Sequence, residues 1–131
     1  DYYASRGLGD VYKRQIIKRY RIRVHPCYYM GWGRCSCKFC IFGNKNQFAS
    51  AASVSPEQIG RIIKLERDFG YTLKRNLSLP ELIAMGCVYK NITPELQCLA
   101  TSYNYEQAII LPVAEEWTLP AGAFGENCGA I

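Results

Sequence analysis

Apolar and polar positions follow a helical period through the middle of the chain and alternate near its start. From Ile59 onward, Ile59, Ile62, Ile63, Leu65 and Phe69 share one helical arc, which predicts an amphipathic helix facing a core. Ser55-Pro56-Glu57-Gln58 supplies its start, with an N-cap serine, a first-turn proline and a capping-box glutamine, and Gly70 supplies its stop. The same logic at Ser78-Leu79-Pro80-Glu81 predicts a helix ending near Gly86. Thr93-Pro94 opens another, and Asn46 to Ser53 reads as a short one. Ile16 to Val24 instead alternates apolar and basic residues, which predicts a strand stopped by His25-Pro26. Ala108 to Ala114 reads as a second strand or a buried extended segment, residues 26–46 as an aromatic and glycine-rich loop, and the tail from Leu119 as irregular. The expected fold is therefore mainly α with a short strand or two. Glu66 falls inside the apolar arc, where an unpaired charge is costly, so an inward salt bridge, or else an active-site acid, is expected there.

A chain of 131 residues holds one modest domain and can bury a core of its own. The longest apolar run, Ala108 to Ala114, is broken by Pro112 and falls far short of the ~18 residues of a membrane span. The net charge of +5 is concentrated at the start: the first 25 residues carry seven basic and two acidic side chains, and the remainder balances at nine against nine. The segment Lys18-Arg19-Tyr20-Arg21-Ile22-Arg23 reads as an edge strand with a wet outer face, or as an arm for phosphates or nucleic acid. Residues 1–15, ending Gly7-Leu-Gly-Asp-Val-Tyr-Lys-Arg-Gln15, look like translated adapter sequence. On that reading the native polypeptide starts near Ile16 as the carboxy-terminal remnant of something longer. A genuine lead-in helix is the competing view.

Chemistry concentrates in one place. Four of the seven cysteines, Cys27, Cys35, Cys37 and Cys40, fall within fourteen residues. Cys37-Lys38-Phe39-Cys40 has the spacing of a metal hook, and Cys27 or His25 could complete a site. Zinc, an iron–sulfur cluster with a distant cysteine such as Cys87, or free thiols packed as small apolar residues all fit the composition. Cys87 and Cys98 fall in helical surroundings and read as core. An odd number of closely spaced cysteines points to a reducing cytoplasm rather than a disulfide framework. Arg34, beside glycines, suits a bidentate phosphate or sulfate contact, with Lys38 as a second candidate. His25, the only histidine, ends a strand or serves as a ligand or acid–base group. Tyr28, Tyr29 and Trp32 either pack in the core or stack on a base.

The stretch His25-Pro-x-Tyr-Tyr-x-Gly-Trp-Gly-Arg-x-Ser-Cys-Lys-Phe-Cys-Ile-Phe-Gly43 resembles the phosphoadenosine phosphosulfate reductase-like family of the adenine-nucleotide hydrolase superfamily. Ser55-Pro-Glu-Gln, Leu65-Glu-Arg-Asp-Phe-Gly-Tyr-Thr72 and Trp117-Thr-Leu-Pro-Ala-Gly-Ala-Phe-Gly125 extend the likeness over about residues 20–131. The resemblance implies a Rossmann-like α/β parent that binds ATP or phosphoadenosine phosphosulfate, and an iron–sulfur cluster in some members. It also implies a Ser-Gly-Gly-Lys-Asp-Ser type phosphate loop, which this sequence lacks, so a nucleotide-binding region is expected upstream. Members that reduce sulfonucleotides use a thiolate in a carboxy-terminal Glu-Cys-Gly-Leu-His segment. The match here, Glu126-Asn127-Cys128-Gly129-Ala130, has an inserted Asn and no His. Cys128 therefore reads as an incidental thiol.

These readings converge on a carboxy-terminal, cysteine-containing part of such an enzyme. It would be inactive alone, with Arg34 and Lys38 as substrate contacts and Cys27, Cys35, Cys37 and Cys40 as metal ligands. The alternative is a freestanding zinc-stabilised helical module that binds a partner or nucleic acid through residues 18–23.

Overall fold

The computed structural model describes residues 11–122. Six helices follow one another: α1 Val11–Arg19, α2 Pro26–Met30, α3 Lys45–Val54, α4 Pro56–Phe69, α5 Leu79–Ala84 and α6 Pro94–Thr101. Among the described residues, β structure is limited to two isolated antiparallel bridges, Ile22 with Ile110 and Lys74 with Leu77. The mainly helical expectation is met. The chain divides into two compact units, one formed by the residues up to Cys35 together with those from Lys90 on, the other by Ser36–Tyr89.

In the first unit the predicted strand at 16–24 is replaced by α1 and a turn. Ile16, Ile17 and Tyr20 suit a helical stripe as well as an alternating one, and the intervening Lys, Arg and Gln are good helix formers. Lys18 and Arg19 sit in the last turn, where cations meet the negative end of the helix dipole. The helix closes in a Schellman motif: Arg21 N–H donates to Lys18 O at 3.1 Å and Ile22 N–H to Ile17 O at 2.9 Å. Arg21 takes the left-handed position, φ 53°, usually held by glycine. Residues 11–15, which show no period of their own, form the first part of this helix.

Beyond the turn, Arg23 N–H donates to Ile109 O at 2.7 Å and Leu111 N–H to Arg21 O at 2.9 Å. The segment 108–114 is extended as expected, yet only Leu111 is buried; Ile110 is 68% and Val113 92% exposed. Trp117 Nε1 donates to Ile22 O at 3.0 Å and fastens the tail. Gly122 N–H donates to Tyr28 O at 2.8 Å. A Cβ at Gly122 would lie 1.9 Å from Trp32 O, so only glycine allows this approach. Helix α2 packs on α6, and Met30, Trp32 and Leu111 are buried.

The second unit is built on α3, which packs against both α4 and α5. Phe48, Ile59, Leu79 and Leu82 form its core, flanked by Phe39, Ile62, Ile63 and Leu77. The predicted arc of α4 is inward only at its amino-terminal end: Leu65 is 51% and Phe69 70% exposed. Gly70 stops α4 at φ 68°, as predicted. Its predicted capping box does not form. Ser55 makes no side-chain cap: it also closes α3, its N–H donating to Ala51 O at 2.9 Å, and Lys38 Nζ donates to Ser55 Oγ at 2.7 Å and to Gln58 Oε1 at 3.1 Å. A charge-assisted bond from an ammonium outcompetes a neutral cap. Among the described residues Glu66 has no salt-bridge partner, contrary to expectation. Its carboxylate accepts Leu73 N–H at 2.7 Å and Leu79 N–H at 3.0 Å, so it holds the chain that leads into α5. Asn46 Oδ1 and Ser50 Oγ accept the amides of Cys87 and Tyr89, each at 3.0 Å, and tie the exit from α5 to α3.

The capping box of α5 is present. Glu81 Oε2 accepts Ser78 Oγ–H at 2.6 Å and Ser78 N–H at 3.1 Å. These bonds, the hydroxyl first and the amide second, hold the Glu81 carboxyl below its ordinary pKa. A lowered folded-state pKa contributes stability that is full above the unfolded value and disappears as pH falls through the folded one. The melting-temperature gap between wild type and Glu81→Gln, followed by circular dichroism, should therefore narrow to nothing as the solution is acidified into that range. A gap that stays constant with pH would show that the carboxylate charge is irrelevant.

Candidate metal centre

The cysteine segment begins with a helix where a loop is expected. A residue before proline is pushed to extended backbone, and His25 adopts φ −56°, ψ 139°. That makes it an N-cap for α2, with Pro26 in the first turn. His25 Nδ1 accepts Cys27 N–H at 3.2 Å. Five residues later α2 ends in a second Schellman motif. Gly31, at φ 119°, donates to Tyr28 O at 3.3 Å, and Trp32 N–H donates to Cys27 O at 3.1 Å. This reversal sends Trp32 inward and turns residues 33–35 back along α2. Tyr28 Oη then accepts Cys35 N–H at 3.1 Å, which fixes the end of the returning segment.

The reversal brings Cys35 back to His25 and Cys27, which flank the start of α2. One ligand atom each from His25, Cys27 and Cys35 lies within 4.8 Å of the other two, so this group could hold a metal ion. A tetrahedral zinc with sulfur and nitrogen ligands at their usual lengths needs donor separations of roughly 3.5–3.8 Å, a small closure from this arrangement. Cys27 is half-buried, while His25 and Cys35 are exposed.

Electrostatics prepare the donors unequally. Burial, then the neighbouring Cys35 thiol, push Cys27 well above the ordinary thiol range, and Cys27 and Cys35 share a side-chain hydrogen bond. A metal ion inverts that preference by binding the thiolate, so loading releases protons and strengthens with pH. Burial lowers the pKa of His25, which favours the neutral ring that a metal requires. Because Nδ1 accepts the Cys27 amide, the neutral ring carries its proton on Nε2. Ligation through either nitrogen must therefore exchange the helix cap for the metal bond, a cost of about 1 kcal/mol.

Of the four predicted ligands, Cys27 and Cys35 belong to this group, and His25 joins them. Cys37 and Cys40 do not. They lie in the second unit, where Cys40 N–H donates to Cys37 O at 3.1 Å across a tight turn. Cys98 is exposed on α6 rather than core. Cys87 is exposed too, and it is disulfide-bonded, which removes it as a thiolate ligand. Cys128 lies outside the described residues. Arg34 is half-buried immediately before Cys35, whereas Lys38 is held by Ser55 and Gln58.

The basic segment is largely turned inward. Arg21 donates to Pro112 O at 2.8 Å and also to the carbonyl of Glu115. Arg23 pairs with the Glu115 carboxylate at 3.0 Å and donates to Ala108 O at 3.2 Å. These guanidinium groups serve the fold of the first unit, so from residues 18–23 only Lys18 and Arg19 are left to meet an external polyanion. No local pattern could reveal this, because the partners lie some ninety residues away. No family model, curated protein or solved structure matches this chain. No helix among the described residues is long and apolar enough to cross a membrane.

Proposed function

We propose that this chain is the carboxy-terminal, cysteine-containing part of a phosphoadenosine phosphosulfate reductase-like enzyme acting on an adenine nucleotide, and that His25, Cys27 and Cys35 form its metal clip. The observation that carries the reading is a coincidence of place. The segment with the family resemblance, His25 to Gly43, is also the one whose reversal at Gly31 assembles the donor group. Two thiols and an imidazole suit zinc better than an iron–sulfur cluster, which asks for four cysteines or a cysteine–histidine set of the same size. Zinc would supply a fixed point that holds residues 33–35 against α2. Arg34, next to that point, then presents a planar fork for a phosphate or sulfate oxyanion.

The test is to sequence the gene upstream of Ile16, to express the chain with whatever open reading frame is found there, and to titrate it calorimetrically with ATP and with phosphoadenosine phosphosulfate. One of the two should bind, and Arg34→Ala should weaken it about tenfold through loss of a charge-assisted contact. Failure of both nucleotides to bind the extended protein would overturn the enzyme reading, whatever the metal content.

A further inference from the structure

One member of the donor group, His25, also lines a cleft. About 350 Å³ of half-open space is lined by His25 together with Val24, Pro26, Leu99, Tyr105 and Ile109. An adjoining lobe shares Arg23, Val24, Pro26, Leu99 and Tyr105 and adds Glu115 and Glu116. His25 thus belongs both to the group that could hold an ion and to the cleft wall. We propose that His25, Cys27 and Cys35 form an open, three-ligand zinc site that accepts a small uncharged nitrogen donor with an aromatic body seated in this cleft. The proposal rests on the metal part of the reading above, not on its nucleotide part.

Three considerations lead there. Zinc is four-coordinate, and sites with three protein ligands keep the remaining position for water or an added ligand. Among the described residues the group has three members, two of them exposed. Charge then selects against anions. Two thiolates already neutralise the dication, and the cationic side chain in the cleft wall, Arg23, is paired with Glu115 at 3.0 Å. Glu116 adds a further carboxylate to the adjoining lobe. A carboxylate or phosphate ligand would meet net negative charge, whereas a neutral donor would not. Size and lining complete the selection. A volume of about 350 Å³ sits at the lower end of the roughly 300–1,000 Å³ of small-molecule pockets. It suits one aromatic ring with a short arm, set against Val24, Pro26, Leu99 and Ile109.

Cobalt(II) replaces zinc as a visible probe of coordination. The chain is loaded with cobalt at roughly pH 8, above the pKa of imidazole-type donors, and titrated with imidazole, phenylimidazole and benzoate. Phenylimidazole should shift the ligand-field bands saturably and bind about tenfold tighter than imidazole, from burial of its ring. Benzoate should leave the bands unmoved at the same concentration. Leu99→Trp, which fills the cleft, should abolish the advantage of phenylimidazole over imidazole while imidazole still shifts the bands. Bands that form but respond to neither imidazole would mean a closed ion with four protein ligands, and would overturn this inference alone. A response to imidazole with no gain from the phenyl ring would overturn the role of the cleft. Absence of cobalt bands altogether would overturn the metal reading and this inference with it.

Discussion

Cys27→Ser and Cys35→Ser should each lower zinc or cobalt affinity by at least about a hundredfold, more than the loss of an outer-shell partner usually costs. Cys37→Ser and Cys40→Ser should leave it intact. The contrast is sharp because spacing alone favours the opposite pair. A Cys-x-x-Cys hook places two thiols on one turn, and Cys37 and Cys40 do share one. The three-donor group nevertheless consists of His25, Cys27 and Cys35. Histidine needs a more careful substitution, since His25 also caps α2 through Nδ1. His25→Asn keeps a good cap acceptor and removes the imidazole. It should preserve the thermal stability of the metal-free protein while losing metal. Metal content of the purified variants, measured by elemental mass spectrometry and checked by cobalt titration, reads all of these outcomes. Loss of metal in Cys37→Ser with retention in Cys35→Ser would move the site to the hook.

Phe48→Ala should be the most destabilising single core change, at about 3–5 kcal/mol, the usual range for a buried phenylalanine truncated to alanine. Phe48 is 1% exposed and belongs to the cluster with Ile59, Leu79 and Leu82. The Phe39 ring lies 6.4 Å away. On the face of Phe48 sits the Lys74 ammonium, 5.6 Å from the ring centre, and that ammonium also donates to Ile41 O. Truncation therefore leaves a cavity and removes the ring surface that positions Lys74. Against a typical domain stability of 5–15 kcal/mol, such a loss should bring much of the population near unfolding. Phe69→Ala, at a side chain 70% exposed, should change stability by no more than about 0.5 kcal/mol. Urea titration of both variants checks this. Similar midpoints would mean that the second unit is not organised around Phe48.

Local signals were legible in the sequence where the structure keeps them local. The stop of α4 at Gly70, the capping box at Ser78 and Glu81 and the start of α6 at Thr93 each involve side chains within four residues of one another. Their chemistry is nearly independent of the rest of the fold. Long-range partners were not legible. Lys38 takes the two side chains that would have capped α4, and Glu66 takes amides seven and thirteen residues further on. Helix α1 was hidden because its apolar residues satisfy two periods at once and its left-handed stop is an arginine. The donor group was half visible. Cys27 and Cys35 stand out by type, but what joins them to His25 is the reversal at Gly31 and the Tyr28 contact, which no ligand-spacing rule describes.

Glu66 has a consequence for how the second unit opens. Besides the Lys74–Leu77 bridge and the bond from the Lys74 ammonium to Ile41 O, the connection between α4 and α5 is fastened at Leu73 and Leu79 by one carboxylate, that of Glu66 on α4. Two charge-assisted bonds that share an acceptor group tend to fail together. The amides of Leu73 and Leu79 should therefore exchange with solvent deuterium as a pair, and the segment between them should become a protease target only when both let go. For those two amides the connection is a latch with one bolt, carried by the helix that precedes it.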